Sequence, residues 1–191
     1  MDFNSTNMGG HLEIILGCMY SGKTSKLISI YKYNIIAGIP TCVINYIKDD
    51  RYDKNDMSTH DGVTIPCEKV EKLFDLFEHD NSDILKRTTA FIINEGQFFE
   101  DLVEFVDILV NKHKKKVYVC GLDGDFNMRK FGKILDLIPM CDKVEKLRAI
   151  CNICKKRAAF TKRITDDTKQ EIIGGAEMYI PVCRECHSKT L

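Results

Sequence analysis

Residues 17–24 read GCMYSGKT and match the pattern G-x-x-x-x-G-K-[ST] of a phosphate-binding loop. Glycines let successive backbone N–H groups curl around phosphate oxygens, while the lysine brings positive charge and the threonine hydroxyl can ligate Mg²⁺. At ordinary residue frequencies a chance match is expected in about one chain in a hundred or fewer. The predicted contacts to ATP and Mg²⁺ are Gly17, Cys18, Met19, Tyr20, Ser21, Gly22, Lys23 and Thr24.

The surroundings of this loop predict the fold. Residues 11–16 are apolar and typical of a strand, and residues 25–37 carry apolar side chains at helical spacing. Further strands are predicted at 41–47, 90–93 and 117–122, amphipathic helices at 70–77 and 102–110, and a charged loop at 48–61. This alternation indicates an α/β fold, a parallel P-loop NTPase sheet with helices on both faces.

The composition excludes some functions. The chain has 191 residues, and its 28 basic residues balance its 28 acidic ones, so charge gives no reason to expect a nucleic-acid or membrane partner. No run of about 18 apolar residues predicts a membrane span, and the N-terminus lacks the pattern of a signal peptide. We therefore expect a cytoplasmic protein, and in a reducing compartment clustered cysteines more often bind metal than form disulfides.

Four of the nine cysteines form two C-x-x-C pairs. Cys151 and Cys154 are separated by 28 residues from Cys183 and Cys186. Four thiolates are the closed tetrahedral set of a structural Zn²⁺ site, with His187 as an alternative ligand and a redox disulfide as an alternative chemistry. The segment between the pairs is predicted to be a long loop whose ends the metal holds together.

The change of pattern near residue 149 predicts two parts. Residues 1–149 would form the ATP-binding α/β domain, and residues 150–191 a small zinc-binding domain with a substrate-binding loop. A neutral chain of this length fits about one domain plus a small appendage.

The strand at residues 90–93 is followed by NEGQ at residues 94–97. Ligands bind at the carboxyl ends of strands in parallel α/β sheets, so Glu95 is the predicted general base, with a solvated loop glutamate as the alternative. The charged residues after the second strand are Asp49, Asp50 and Arg51. An arginine at this edge could neutralise charge on a transferred phosphoryl group, although Arg51 taken alone also fits an ordinary surface residue.

Taken in order, these motifs resemble those of the type II thymidine kinases, the cellular and large-virus class. The resemblance spans residues 9–186. It rests on residues 16–27, 50–52 (DRY), 59–61 (THD), 95–99 (EGQFF), 122–124 (LDG), 161–163 (TKR), 173–175 (IGG) and both cysteine pairs. It implies transfer of the γ-phosphate of ATP to the 5′-hydroxyl of thymidine, a homotetramer, and feedback inhibition by the triphosphate end product.

The resemblance also implies roles for individual residues. Glu95 is the implied proton acceptor, and Lys23 and Arg51 join it as catalytic residues. The implied contacts to ATP and Mg²⁺ further include Asp49, Asp50, Arg51, Asn94 and Gln97. The implied thymidine contacts are Met19, Phe98, Leu122, Phe126, Phe131, Thr161 and Tyr179, together with Gln170, Glu171, Ile172, Ile173 and Gly174 of the family's lasso loop. Backbone groups in the lasso would read the base, which disfavours purines because their edges leave buried polar groups unpaired.

Two positions depart from the family's pattern. Asn94 stands where Asp is usual, and a neutral amide is expected to hold hydrated Mg²⁺ less well. Cys18 stands where Pro is common, which frees φ and is expected to leave the loop less pre-organised. Because Lys23, Thr24 and Glu95 are retained, activity is still expected.

Two other functions fit parts of the sequence. The basic residues at 155–157 and 162–163 suggest a P-loop ATPase with a zinc-binding nucleic-acid module, but no second basic, aromatic-interleaved surface accompanies them. Asn94 alone suggests an inactive nucleotide-binding regulator. The predicted partners are therefore ATP and thymidine, with no nucleic acid and no membrane.

Overall fold

The structure, a computed structural model, describes residues 9–47, 56–58, 62–79, 83–165 and 178–189. The strands are β1 (His11–Gly17), β2 (Thr41–Tyr46), β3 (Asp56–Ser58), β4 (Thr64–Pro66), β5 (Glu68–Val70), β6 (Ala90–Ile93), β7 (Lys116–Gly121), β8 (Lys143–Leu147), β9 (Ala149–Ile150), β10 (Arg157–Ala158), β11 (Phe160–Arg163) and β12 (Tyr179–Val182). The α-helices are α1 (Lys23–Ile36), α2 (Asp75–His79), α3 (Asp83–Arg87), α4 (Leu102–Asp107) and α5 (Arg184–His187). Two 3₁₀ helices cover Gly96–Phe98 and Ile134–Met140, and a π-helical turn covers Ile108–Lys112.

Six strands form the central sheet in the order β5-β2-β6-β7-β1-β8, and every neighbouring pair is parallel. Alternate side chains of β1 enter different cores: Ile14 packs with Phe105 of α4, and Ile15 packs with Leu27 of α1. Burying an apolar side chain of this size fully contributes about 1.5–3 kcal/mol. The predicted parallel α/β sheet with helices on both faces is confirmed.

Helix α1 begins at Lys23, within the phosphate-binding loop, because glycine turns the chain at residue 22. Gly22 has a φ of 85°, a left-handed conformation that suits a residue without Cβ. Leu27 and Ile28 then bury one side of the helix against the sheet. Gly38, with a φ of 68°, follows the end of the helix, as the sequence predicts.

The sequence predicts one amphipathic helix at residues 70–77, and this prediction is wrong for the first part of the segment. Val70 ends strand β5, which pairs with β2 at the sheet edge, and only Asp75–His79 is helical. The helical spacing misleads because Val70 and Leu73 enter the same core although the chain turns between them. The expected loop at 48–61 also contains β3, which pairs with β4 in an antiparallel hairpin.

The segment between the two cysteine pairs is not a simple loop. It contains strand β10, which pairs with β9 just before Cys151, and strands β11 and β12, which pair with each other; both pairings are antiparallel. The side chains of β11 alternate, since Thr161 and Arg163 are buried while Phe160 and Lys162 are half-buried. A third small core packs Cys18 of the phosphate-binding loop against residues of the C-terminal strands and cysteine pairs. Its members are Cys18, Ala149, Cys151, Ala158, Val182 and Cys186. Within the described ranges, no helix has the length and apolar character needed to cross a membrane.

Candidate active site

Three polar segments meet at one edge of the sheet. Because β1, β6 and β7 are adjacent and parallel, their carboxyl ends lie side by side. The phosphate-binding loop follows β1, residues 94–97 follow β6, and residues 122–131 follow β7. This is the edge at which parallel α/β folds bind ligands.

The phosphate-binding loop has the geometry expected of an anion cradle. A Cβ on Gly17 would lie 2.5 Å from Ser21 Oγ and 2.9 Å from the Leu147 oxygen, so only glycine fits there. Lys23 is 8% exposed, and its Nζ donates a hydrogen bond to the Cys18 oxygen at 2.9 Å. The first turn of α1 contains no acidic residue, so its free N–H groups and Lys23 favour a bound anion.

Two residues of this loop are also packed against the C-terminal part of the chain. Cys18 is 2% exposed in the third core, and its Sγ lies 3.7 Å from the Ala158 oxygen. The Met19 N–H donates to Thr161 Oγ1 at 3.0 Å. Burial raises the pKa of the Cys18 thiol, so the side chain stays neutral. The sequence marked Cys18 as a phosphate-loop residue and as a departure from proline, and it gave no signal of this contact.

Glu95 is held in a defined orientation. Its φ of 52° places it in the left-handed region, which is uncommon for a residue with a side chain and is typical of functional sites. Gln97 Nε2 donates to Glu95 Oε2 at 2.7 Å, and Gln97 Oε1 accepts from the Leu122 N–H at 3.0 Å. Gln97 is 3% exposed, so this side chain acts as a buried support for the glutamate.

Asn94 lies in a buried row of polar groups between strands. Its Nδ2 donates to Asn45 Oδ1 at 3.0 Å, and its Oδ1 accepts from Cys120 Sγ at 3.0 Å. Burial, followed by the nearby charge of Glu95, raises the pKa of Cys120 to about 12, so the thiol remains a donor. Sequence reasoning missed Asn45, and its only signal there was an amide in an otherwise apolar strand.

Aromatic side chains form a wall beside Glu95. Phe98 stacks on Tyr46 with ring centroids 5.1 Å apart, and Phe131 meets Phe98 edge-on at 5.5 Å. Gly132 allows this approach, because a Cβ at that position would lie 1.9 Å from the Gln97 oxygen. Two of the predicted thymidine contacts, Phe98 and Phe131, are thus brought together.

A second aromatic group joins the β7 loop to the C-terminal ribbon. The Arg163 guanidinium lies 3.9 Å from the centre of the Phe126 ring and 5.1 Å from that of Tyr179. It also donates to the Tyr179 hydroxyl at 2.5 Å. Tyr179 is only 6% exposed and lies in β12, not in a loop.

The four paired cysteines converge on one point. Their Sγ atoms all lie within 4.8 Å of one another, and those of Cys154 and Cys183 are 3.5 Å apart. Four sulfurs around one Zn²⁺ at about 2.3 Å would be separated by about 3.8 Å, so the donor set fits this metal. His187 does not join the cluster, since its Nε2 lies 2.8 Å from the Phe126 oxygen.

The surroundings of the cluster favour ionisation of Cys151 and oppose that of Cys186. Burial opposes ionisation of Cys151, but hydrogen bonds from the backbone of Cys154, Cys183 and Ile153 outweigh it and lower its pKa to about 6. Burial and the neighbouring thiols raise the pKa of Cys186 to about 12. A dication at the centre would be expected to reduce the cost of ionising all four.

Comparison with known proteins identifies the family. A sequence model described as thymidine kinase matches residues 10–187. The chain belongs to the thymidine kinase family. Thymidine kinase a of Arabidopsis thaliana is 41% identical over 176 residues, which is 92% of this chain and 74% of the plant protein. The thymidine kinase of Yaba monkey tumor virus is 44% identical over 181 residues, which is 94% of this chain and 96% of the viral protein.

Among solved structures, the chain is similar to domain III of the Thermotoga maritima replication initiation protein DnaA. That similarity covers 75% of this chain and 56% of the other, with 15% sequence identity and a TM-score of 0.44. A likeness of this size does not bear on function, whereas membership of the thymidine kinase family confirms the resemblance drawn from the sequence motifs.

Some residues that the thymidine kinase motifs single out lie outside the described residues. They are Asp49, Asp50, Arg51, Gln170, Glu171, Ile172, Ile173 and Gly174. The described part brings the phosphate-binding loop and Glu95 to one sheet edge, with Leu122 beside Gln97 and Thr161 beside Met19. Chemically, this edge combines an anion cradle with a carboxylate, two of the elements that phosphoryl transfer to a hydroxyl uses.

Proposed function

We propose that this chain phosphorylates thymidine at the 5′-hydroxyl, using ATP as donor, and so supplies a DNA precursor by nucleotide salvage. The observation that carries the proposal is the match of residues 10–187 to the thymidine kinase family. The geometry agrees with it, because Glu95 and the phosphate-binding loop follow parallel strands that end at one edge of the sheet.

In the proposed reaction, the loop N–H groups and Lys23 bind the β- and γ-phosphates of ATP. Glu95 accepts the proton of the 5′-hydroxyl as that oxygen forms a bond to the γ-phosphorus, and the bond from phosphorus to the ADP oxygen breaks. Gln97 orients Glu95 through the hydrogen bond to Oε2. Mg²⁺ bound with ATP would neutralise charge on the phosphates, with Thr24 as a proposed ligand.

The nucleoside is proposed to bind beside the aromatic side chains. The proposed contacts are Met19, Phe98, Leu122, Phe126, Phe131, Thr161 and Tyr179, with the lasso residues 170–174 contributing backbone groups. Phe98 and Phe131 already contact each other edge-on, and flat rings of this kind pack well against a pyrimidine. The proposed Zn²⁺ would be held by the four cysteines in a closed structural site.

A panel of nucleosides tests the proposed function. The purified chain is incubated with ATP, Mg²⁺ and thymidine, deoxyuridine, deoxycytidine or deoxyguanosine, and ADP release is measured. We expect release that depends on thymidine and little with the purine. Release that does not depend on any nucleoside, combined with a salt-dependent shift of DNA or RNA in a gel, would instead favour an ATPase with a nucleic-acid module.

We also propose that the chain has an ATP-binding domain at residues 1–149 and a zinc-binding domain at 150–191. We propose further that it is cytoplasmic and forms a homotetramer. Exposed apolar side chains on α1 support an assembly, because Tyr33 is 69% exposed and Ile36 is 88% exposed. Light scattering in solution is expected to give four times the chain mass of 21.9 kDa.

Replacing Gln97 by Glu is expected to change the pH dependence of the reaction. A second carboxylate would face Glu95 Oε2, now 2.7 Å from Gln97 Nε2, and like charges at that distance raise the pKa of the pair. Because the base must be deprotonated, the rising limb of the pH–rate profile should move to higher pH. At pH 7 we expect kcat/KM to fall by about 10- to 100-fold and to recover partly on going to pH 9.

The control for this variant is Gln97→Met, which removes both hydrogen bonds without adding charge. It should lower kcat/KM by about tenfold and move the pH limb upward by less than Gln97→Glu does, because it removes the Nε2 donor to Glu95 without adding a charge. Identical pH profiles for the two variants would show that a charge at position 97 does not act on Glu95.

Replacing Asn94 by Asp is expected to lower the Mg²⁺ concentration needed for half-maximal rate by about three- to tenfold. The carboxylate can still accept from Cys120 Sγ, and the Asn45 amide can turn to donate to it. Titration of Mg²⁺ at fixed ATP measures the effect. The matched control is Asn45→Asp, which makes the same change of charge in β2, one strand further from the phosphate-binding loop than β6. An equal effect of both variants would show that general charge, not position 94, sets the Mg²⁺ requirement.

A further inference from the structure

The loop after β7 at residues 122–132, here called the Phe126 segment, contacts His187, which lies next to the cysteine cluster. We propose that His187 is a positioning residue for the nucleoside site, which fixes the main chain at Phe126 through a hydrogen bond to its carbonyl oxygen. The proposal rests on the proposed function, since Phe126 is taken there as a thymidine contact.

The geometry of the hydrogen bond defines its direction. His187 Nε2 lies 2.8 Å from the Phe126 oxygen, across 61 residues of chain. A carbonyl oxygen only accepts, so the proton is on Nε2. His187 is the last residue of α5 and directly follows Cys186, one of the four clustered cysteines. The bond therefore links the segment beside the cysteine cluster to the loop after β7.

The imidazole is itself held in place. Its ring meets the Phe160 ring edge-on, with centroids 6.0 Å apart. Lys162 Nζ donates to the carbonyl oxygens of Cys186 and His187 at 3.3 Å and 3.2 Å, which ties the end of α5 to β11. A donor fixed in this way can restrain a loop, whereas a freely rotating one could not.

Hydrogen bonds within the Phe126 segment fold it into a turn, so its position depends on contacts with other parts of the chain. Asp125 is 7% exposed, and its Oδ1 accepts from the N–H groups of Asn127 and Arg129 at 2.8 Å and 2.9 Å. These bonds keep the turn folded but do not fix it relative to the sheet. The anchors that do so include His187 at the main chain and Arg163 on the Phe126 ring.

The phosphate-binding loop and the Phe126 segment are attached to the C-terminal part of the chain by different contacts. Among the described contacts, the phosphate-binding loop meets the C-terminal part through Cys18 and Met19, which touch Ala158 and Thr161, and not through His187. Loss of the His187 hydrogen bond should therefore loosen the nucleoside site while leaving the ATP site intact. Thymidine should bind more weakly because part of its binding energy would be spent on ordering the segment.

Three variants of the full chain test the proposal. His187→Leu removes the donor at similar bulk, His187→Gln places an amide nitrogen near the position of Nε2, and His187→Asn leaves the amide too short to reach. The matched control is Ser188→Ala, which alters the next residue on the exposed helix end. Steady-state kinetics, zinc content, and hydrogen exchange of peptides covering residues 122–132 are measured for each.

For His187→Leu we expect the KM for thymidine to rise by about three- to tenfold, with the KM for ATP and the zinc content within twofold of wild type. Amide exchange in residues 122–132 should speed up, and Gln should restore both readouts where Asn does not. If the Leu variant loses zinc, the comparison of Gln with Asn decides.

A KM for thymidine and exchange rates that stay at wild-type values in both Leu and Asn variants would overturn the proposal, as would equal increases in both KM values. A wild-type chain without thymidine-dependent turnover would instead reject the proposed function. The exchange measurement would then still report whether His187 fixes the Phe126 segment.

Discussion

Replacing Glu95 by Gln is expected to lower kcat for thymidine phosphorylation by about 10²-fold or more, because the amide cannot accept the proton of the 5′-hydroxyl. The substitution preserves size, and Gln97 can still hydrogen-bond the amide oxygen in place of Oε2. The positive φ of 52° belongs to the backbone and should persist. Stopped-flow or steady-state ADP release measures kcat, and titration calorimetry measures binding of thymidine and ATP.

Both substrates should bind the Glu95→Gln variant within about threefold of wild type, since a lost transition-state interaction lowers kcat more than binding. The matched control is Glu104→Gln on the exposed side of α4, which should leave kcat unchanged. If Glu95→Gln kept more than a tenth of wild-type kcat, or if it lost kcat only together with thymidine binding, Glu95 would not be the base.

Replacing Cys151 by Ser is expected to remove the metal and to lower kcat/KM for thymidine by at least about 10²-fold, because structural zinc binding supplies about 10–16 kcal/mol to small metal-dependent folds. Cys151 is fully buried in the third core beside Cys18 of the phosphate-binding loop. Loss of the metal should therefore disturb both the C-terminal ribbons and the loop, and the KM for ATP should rise as well.

The control for Cys151→Ser is Cys141→Ser, which changes a thiol outside the cluster whose Sγ contacts the Ile138 oxygen. It should keep about one zinc per chain by elemental analysis and near wild-type activity. A strong chelator should reproduce the effect of Cys151→Ser on the wild-type chain. Full activity of a zinc-free Cys151→Ser protein would refute a structural role of the metal.

Local patterns were sufficient to predict the part of the site that a short stretch of chain builds by itself. The phosphate-binding loop, the start of α1 and the position of Glu95 after a buried strand follow from residue types at fixed spacing. The two cysteine pairs were equally readable, and their four sulfur atoms converge as the spacing implies.

Contacts between distant segments could not be predicted in this way. Cys18 contacts Ala158, which lies 140 positions further along the chain. Asn94 forms hydrogen bonds with Asn45 and Cys120, which lie in the two neighbouring strands. Such contacts depend on strand order and register, which a single sequence does not specify. The three-residue strands β3 to β5 were not predicted either, because elements so short carry too few residues to show a hydrophobic period.

The central claim is that this chain transfers one phosphoryl group from ATP to the 5′-oxygen of thymidine. Phosphorus NMR of a reaction containing ATP, Mg²⁺ and thymidine tests it most directly. We predict one equivalent of ADP for each equivalent of a monophosphate ester at the 5′-position, and neither product with the Glu95→Gln variant on the same timescale. ADP accompanied by inorganic phosphate and no thymidine ester would contradict the account.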